Sequence, residues 1–394
     1  MARGDDILDV LIVGAGITGV ALGLSLRQAG LRVRVLDHAP LPRFQPAAGF
    51  DQRIYAMSRA SHTLLEEVGG WGRMDPARIE PICEMAVQGD AQGQLQFAPT
   101  RHGTAPLGYI AESGAMLDGL LAVRSDPETG SDLIDAPVTI QEVTTHEDHV
   151  AVTLERGPAL RTRLLVAADG IQSSLRGRMG LAAHFKSYRQ KAVVANYAAD
   201  APHHGVARQW FLSHEVVALL PLPGNHVSLV WSAQSEHAEQ LLAMTPAART
   251  AALQAVVGYG VGHLREVSVP AGFDLRLMRV DSLTAPRFVL VGDAAHGVHP
   301  MAGQGLNLGL QDAAELAAIL ANRGPGPDCG DASVLRRYAR ARREPVLAMQ
   351  GLTDGLFRLF STDRWGLPML RNWGMNAVNR QGWLKHLLME HANQ

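Results

Sequence analysis

The sequence predicts an α/β protein. A Rossmann-like nucleotide-binding unit is interrupted by an antiparallel β-sheet and followed by a helical C-terminus. Three observations predict this. A glycine-rich turn joins a strand to a helix between Val10 and Ala29, closely spaced strands fill the middle of the chain, and a second strand–glycine turn–helix runs from Phe288 to Ala321.

Asp9–Val13 is an apolar run of the kind buried in a parallel sheet. Ile17–Ala29 has apolar residues at helical spacing, and Gly30 is placed to stop it. Arg32–Leu36 alternates valine with arginine as a second strand does, completing a βαβ unit. Val138–Val143, His149–Leu154 and Arg161–Ala167 read as strands. Lys191–Tyr197, Ala207–Leu212, Val216–Leu220 and Val227–Ser232 follow at hairpin spacings, with Pro221, Pro223, Gly224 and Asn225 making one turn. Phe288–Val291 is a further buried strand before the Ala/Leu helix near Leu306–Ala321. The expected organisation is a discontinuous nucleotide-binding domain (1–71, 103–182 and 273–349), a substrate sheet (72–102 and 183–272) and a helical segment (350–394).

With 36 basic and 38 acidic residues in 394, the chain lacks the clustered basic excess that nucleic acid requires. Cys83 and Cys329 are too far apart for metal-ligand spacing, and they fit a reducing cytoplasm. The first residues carry the wrong charges for a signal peptide. Val10–Leu26 is uncharged, but its four glycines in a nucleotide-loop spacing argue against a membrane span.

Gly14, Ala15, Gly16, Ile17, Thr18 and Gly19 form a G-x-G-x-x-G loop. Its glycines permit a tight turn, close approach of a pyrophosphate and close packing of helix on sheet. Unpaired N–H groups at the helix start favour the phosphates. Asp37, ending the second strand, is placed for an adenosine ribose. This loop does not separate NAD from FAD. The segment FVLVGDAAHGVHPMAGQGLNLGLQD does. Asp293, after Gly292, can hold the hydroxyls of a ribityl chain, which only FAD has. Gly303 and Gly305 let backbone approach a flat ring, and the helix from Leu306 aims its N–H groups at whatever lies there; a flavin pyrimidine edge in that place would have its negative charge stabilised. His296 and His299 have no third ligand at a suitable spacing, so no metal is expected. Asp169-Gly170 follows another strand, where a plain Asp-Gly turn is by itself the commoner reading, and a solvated loop is the plain reading of Asp51-Gln52-Arg53.

Taken in order, GAGITG with Asp37, ADGIQSSLR and GDAAHGVHPMAGQGLNLG resemble the class A flavoprotein monooxygenases of the para-hydroxybenzoate hydroxylase fold. FDQRIYAMS, VALLPLPGNHVSLVW, TDGLFRLFS and LRNWGMNAVNR are similar to the ubiquinone-biosynthesis hydroxylase branch. The resemblance implies FAD, NADPH or NADH as electron donor, and O2, which hydroxylates an aromatic ring through a flavin C4a-hydroperoxide. It implies a polyprenylated phenol or quinol as substrate. It places the first glycine loop, Asp37 with His38 beside it, Arg53, Asp169, Gly170, Gly292, Asp293, Pro300, Gly303, Gly305, Leu306 and Asn307 on the cofactor. There are departures. Glu112-Ser113-Gly114 stands where the branch often has Glu-Asn-Arg, and Phe273-Asp274-Leu275 replaces a frequent Phe-Pro-Leu.

Such chemistry resides in the cofactor, so no catalytic set is required of the protein. His299 and Tyr197 are the only candidates for a phenol base, and packing explains each as well. Trp210, Phe211, Leu219, Leu220, Leu229 and Trp231 are candidates for an apolar pocket, with core packing the alternative for most. The C-terminus, with Trp365, Trp373 and Trp383, reads as short helices packed on the FAD domain. The alternative is a docking surface for a membrane or a ubiquinone-biosynthesis complex. Localisation is expected to be cytoplasmic, peripheral to the inner membrane if that surface is used, and the sequence assigns no oligomeric state. A flavin reductase acting on a prenylated substrate and a non-catalytic flavin-binding subunit fit the same glycine motifs.

Overall fold

The computed structural model describes residues 7–90, 93–98, 105–125, 130–298, 304–361, 371–373, 375, 376 and 379. His299, Pro300, Gly303, Trp365 and Trp383 lie outside the described residues. In chain order the first elements are β1 (Ile7–Val13), α1 (Ile17–Gln28), β2 (Val33–Leu36), β3 (Ile54–Met57), α2 (Arg59–Glu67), β4 (Glu80–Ile82), β5 (Glu84–Gln88) and β6 (Gln94–Phe97). Next come β7 (Gly108–Glu112), α3 (Ser113–Leu121), β8 (Ile134–Asp135), β9 (Ile140–Thr145), β10 (Val150–Leu154), β11 (Leu160–Ala167), α4 (Ser174–Arg178) and β12 (Ala183–Ala199). The remainder is β13 (Val206–Leu212), β14 (Glu215–Leu222), β15 (His226–Gln234), α5 (Ser235–Ala243), α6 (Pro246–Val257), β16 (Leu264–Glu266), β17 (Ala271–Val280), β18 (Thr284–Ala285), β19 (Phe288–Leu290), α7 (Gly305–Ala321) and α8 (Ala332–Phe360).

The first sheet runs β18-β19-β11-β1-β2-β8, parallel from β19 to β8. Both of its faces are covered, which is why β1 is an unbroken apolar run. Val10 and Ile12 pack with α1, α3 and α7, while Leu11 packs on the other side with Leu165, Leu175 and Phe288.

The second sheet runs β16-β12-β15-β14-β13-β5-β6, with β17 also paired to β12. Its strand β12 is 17 residues long and starts well before the expected Lys191. A register shift between Ser187 and Gln190, with Arg189 at φ 53°, lets one strand serve two stretches of ladder. Phe273-Asp274-Leu275 lies inside β17. A small sheet, β3-β7-β4, lies between the two larger ones.

Helix α8 is continuous through residue 350 despite Pro345. Beyond it, described residues of the C-terminal segment meet the second sheet at β6. Asn372, Asn376 and Asn379 accept hydrogen bonds through Oδ1 from the N–H groups of Gly93, Gln94 and Gln96 at 2.8, 2.9 and 3.1 Å. Their helical spacing puts three amides on one face, and that face satisfies the open edge of β6.

Candidate functional site

The first glycine turn closes around β1 and β11. Gly14 has φ 111°, and a Cβ there would collide with the Ala168 carbonyl. A Cβ on Gly19 would strike the Gly14 carbonyl, so α1 can approach the turn only as glycine. Gly16 differs: a Cβ there would meet nothing within 4 Å, and the helix starts without a side-chain cap. The first-turn amides therefore face open space. Ile17 is buried beneath them, and Thr18 packs against Gly292 of the second turn and Gly309 of α7. Asp37 braces the loop by accepting hydrogen bonds from the Ala15 N–H (2.7 Å) and the Ala39 N–H (2.9 Å). His38 is exposed, its Nδ1 3.3 Å from Asp37 Oδ1.

Asp169 lies against this turn. Its Oδ2 accepts from the N–H groups of Ser174 (3.0 Å) and Leu175 (3.3 Å), and Gly170 has φ 83°. Its Oδ1 is buried with no partner, as a carboxylate oxygen awaiting a donor would be.

The second turn is built on Asp312, buried on α7. It accepts from the Gly292 N–H (2.8 Å), His296 Nε2 (2.6 Å) and Arg342 Nε (2.6 Å). Burial alone would raise the Asp312 carboxyl; His296 and Arg342 outweigh it and hold the group below the usual carboxylate range. His296 is thus committed to a carboxylate, though its Nδ1 is buried without a partner. Sequence reasoning missed Asp312 and Arg342. Asp293, one residue past Gly292, keeps an exposed surface, yet desolvation pushes its carboxyl up against the opposing pull of His296 and Arg53. The carboxyl is thus open to solvent yet crowded by protein.

Helix α7 begins at Gly305 with no side-chain cap, so the N–H groups of Leu306 and Asn307 point past the helix start. The Asn307 side chain is buried. Its Oδ1 accepts from the Ser58 N–H (2.9 Å) and its Nδ2 donates to Ala56 O (2.8 Å), which ties β3 to the helix. Arg53, just before β3, lies with its guanidinium 5.4 Å above the Phe273 ring. Tyr55 shares the field of Arg53, Asp293 and Asp51, and burial pushes its hydroxyl pKa up. Tyr55 was singled out by no spacing rule. In place of the branch's Glu-Asn-Arg, buried Glu112 takes Arg78 at 2.6 and 2.7 Å, and Gly114 abuts Phe44 and Asp51.

The second sheet presents opposite faces to different partners. Tyr197, Trp210, Leu219, Leu229 and Trp231 pack outward with α5 and α6. Tyr197 donates to Glu266 Oε2 (3.1 Å), and burial pushes its pKa up. It is therefore part of the outer core, not a base at the cleft. Of the apolar candidates only Phe211 and Leu220 face the FAD-binding part. Leu220 packs with Phe50, Ile54 and Ala56, and Phe211 with Phe360 of α8. Between these packed ends, Gln209, Ala218 and Val230 stand opposite one another on β13, β14 and β15. All three are half-buried. A separate groove of about 820 Å³ between α6 and β16 lies on the opposite face.

The residues present fit FAD. An uncapped helix start opens at Gly16, Asp169 carries a buried carboxylate oxygen without a partner, and Asp293 keeps an exposed carboxyl crowded by protein at the second turn. A family model described as FAD binding domain matches residues 7–350. The ubiquinone hydroxylase UbiL of Rhodospirillum rubrum is 36% identical over 390 residues, covering 98% of this chain and 90% of that protein. The 3-demethoxyubiquinol 3-hydroxylase of Escherichia coli is 30% identical over 386 residues, covering 98% of each. The structure of p-nitrophenol 4-monooxygenase PnpA from Pseudomonas putida superposes with a TM-score of 0.76 over 98% of each chain, at 18% identity, a likeness of fold.

Proposed function

Because the chain belongs to the FAD-binding monooxygenases, in their ubiquinone-biosynthesis hydroxylase branch, we propose that it hydroxylates the ring of a polyprenylated phenol or quinol. The reaction balances as ring C–H, O2, NAD(P)H and a proton giving ring C–OH, NAD(P)+ and water. Bound FAD supplies the electron transfer and oxygen activation.

The chain's own residues bind, orient and exclude water. The α1 amides and Gly16 suit the pyrophosphate, Asp37 and His38 the adenosine ribose, Asp169 and Gly170 the diphosphate side, and Asp293 the ribityl hydroxyls. The start of α7, at Gly305, Leu306 and Asn307, favours negative charge on whatever lies there. Pro300 and Gly303, on the segment between Asp293 and α7, are assigned to the ring by the family pattern alone.

The observation that carries the reading is the position of Arg53. It lies over Phe273 of β17 and acts on the Asp293 carboxyl, joining the cofactor turn to the second sheet. A lipid-tailed substrate gives the exposed Trp373 a role at a membrane or a partner protein, and among the described residues no helix is long and apolar enough to cross a bilayer.

The test is oxygen uptake and NAD(P)H oxidation by the FAD-loaded protein with 2-polyprenylphenols. The reading expects substrate-stimulated oxygen uptake and a product heavier by one oxygen atom. NAD(P)H oxidation that reduces the substrate without consuming oxygen would replace it with a reductase.

A further inference from the structure

We propose that Asn196 is a positioning residue for the cofactor: from the second sheet it seats the loop that carries Arg53, and Gln52 adds a second tie. The inference rests on the place given to Arg53 above and names what holds it there.

Val193, Ala195 and Tyr197 of β12 point into the outer core, so Asn196 points the other way, toward the FAD-binding part. It is 1% exposed. Its Nδ2 donates to Phe50 O (3.3 Å) and Asp51 O (3.0 Å). Gln52 Nε2 donates to Val269 O (3.1 Å), on the connection between β16 and β17. Phe273 stands opposite Ala192, so it shares the face of Asn196, and the Arg53 guanidinium lies over its ring. The loop thus rests on the sheet at Asn196 and again at Phe273. The FAD-binding part holds its other side. Glu112 Oε2 accepts from the Asp51 N–H (2.6 Å), Asp51 Oδ2 from the Gly114 N–H (3.0 Å), and Arg53 O from the Ser113 N–H (2.9 Å).

Stability of the sheet does not account for the amide. Among the described residues Asn196 Oδ1 is buried without a partner, a cost that an apolar side chain in that place would avoid. Turning the amide over would set Oδ1 against the Phe50 and Asp51 carbonyl oxygens, so its donors fix its orientation. What the amide supplies is a grip on the carbonyls that lead into Arg53.

The experiment titrates FAD into the FAD-free protein, following flavin fluorescence, and records the melting temperature of each FAD-free variant. Arg53→Gln should weaken FAD binding at least about tenfold, the loss of a charged hydrogen bond. Asn196→Ala should weaken it at least about fivefold with Arg53 present and less than about twofold in the Arg53→Gln background, because residues acting through one group are not additive. A packing role alone would lower the melting temperature in both backgrounds and leave FAD affinity untouched. Gln52→Ala, at an exposed side chain, should repeat the pattern at about two- to threefold, and it carries the test should Asn196→Ala fail to fold. FAD affinity unchanged by Asn196→Ala, or by Gln52→Ala where only that variant folds, would overturn the proposal. So would equal weakening in both backgrounds. Unaltered FAD affinity in Arg53→Gln would overturn the placing of Arg53 on the cofactor itself.

Discussion

Asp312→Ala should be the most damaging single change outside the glycine turns. The carboxylate is 1% exposed and holds three donors: the Gly292 N–H, His296 and Arg342. Without it, Arg342 stays buried with only two 3.3 Å bonds, to Leu308 O and Gln311 Oε1. Breaking one side of a buried ion pair costs about 3–5 kcal/mol, and a buried N–H left unmade costs about 1–3 kcal/mol. The terms overlap, so a loss of about 4 kcal/mol is expected against a total of roughly 5–15 kcal/mol.

Urea unfolding of the FAD-free and FAD-loaded forms measures this loss, and flavin fluorescence measures FAD release from the loosened turn. The pH dependence has a definite sign. Asp312 is held low, so its stabilisation is full above the ordinary carboxylate pKa of about 3.9 and fades as pH falls through the folded value. Burial alone would lower His296; Asp312 outweighs it and raises the group, so its share is full below about 6.5 and fades as pH rises through the folded value. The gap between the two proteins should therefore be widest near pH 5–6. An Asp312→Ala protein within about 1 kcal/mol of the parent at pH 6, or a gap that widens in acid, would refute the reasoning.

Three further outcomes follow from the geometry. Asp293→Ala should weaken FAD binding by about 1.5–3 kcal/mol if its carboxylate takes a ribityl hydroxyl; unchanged affinity in the folded variant, by fluorescence titration, removes that role. Tyr197→Phe should leave turnover within about twofold and cost about 1 kcal/mol of stability, since the hydroxyl meets Glu266 on the outer face; a large drop in kcat would restore it as a base. Asn372→Ala should destabilise the C-terminal segment by about 1–3 kcal/mol through the unmet Gly93 N–H, seen as earlier proteolysis after α8; unchanged proteolysis would show that the β6 edge needs no such cover.

The glycine turns were legible because only glycine can stand at φ 111° against the Ala168 carbonyl or let α1 touch Gly14. The strand β1 was legible because a doubly covered strand is apolar throughout. The direction of the second sheet was not. Alternation shows that Trp210 and Phe211 point oppositely, but both faces are packed, so nothing local says which meets the cofactor. The first half of β12 escaped because Lys186 and Arg189 break the apolar pattern on an exposed ribbon. Asp312 was invisible for a different reason. An acid in an amphipathic helix reads as a solvated charge until His296 and Arg342, distant in sequence, close around it. The C-terminal asparagines could have been read: Asn372, Asn376 and Asn379 repeat at helical spacing, and a row of amides on one helix face suits an open strand edge.

The origin of the new hydroxyl tests the central claim most directly. The FAD-loaded protein is supplied with NAD(P)H and a 2-polyprenylphenol under 18O-labelled oxygen gas in ordinary water, and the product is weighed by mass spectrometry. The account predicts one labelled oxygen atom per hydroxylated ring, with the label absent when only the water carries it. A hydroxyl labelled from water alone would contradict the monooxygenase assignment.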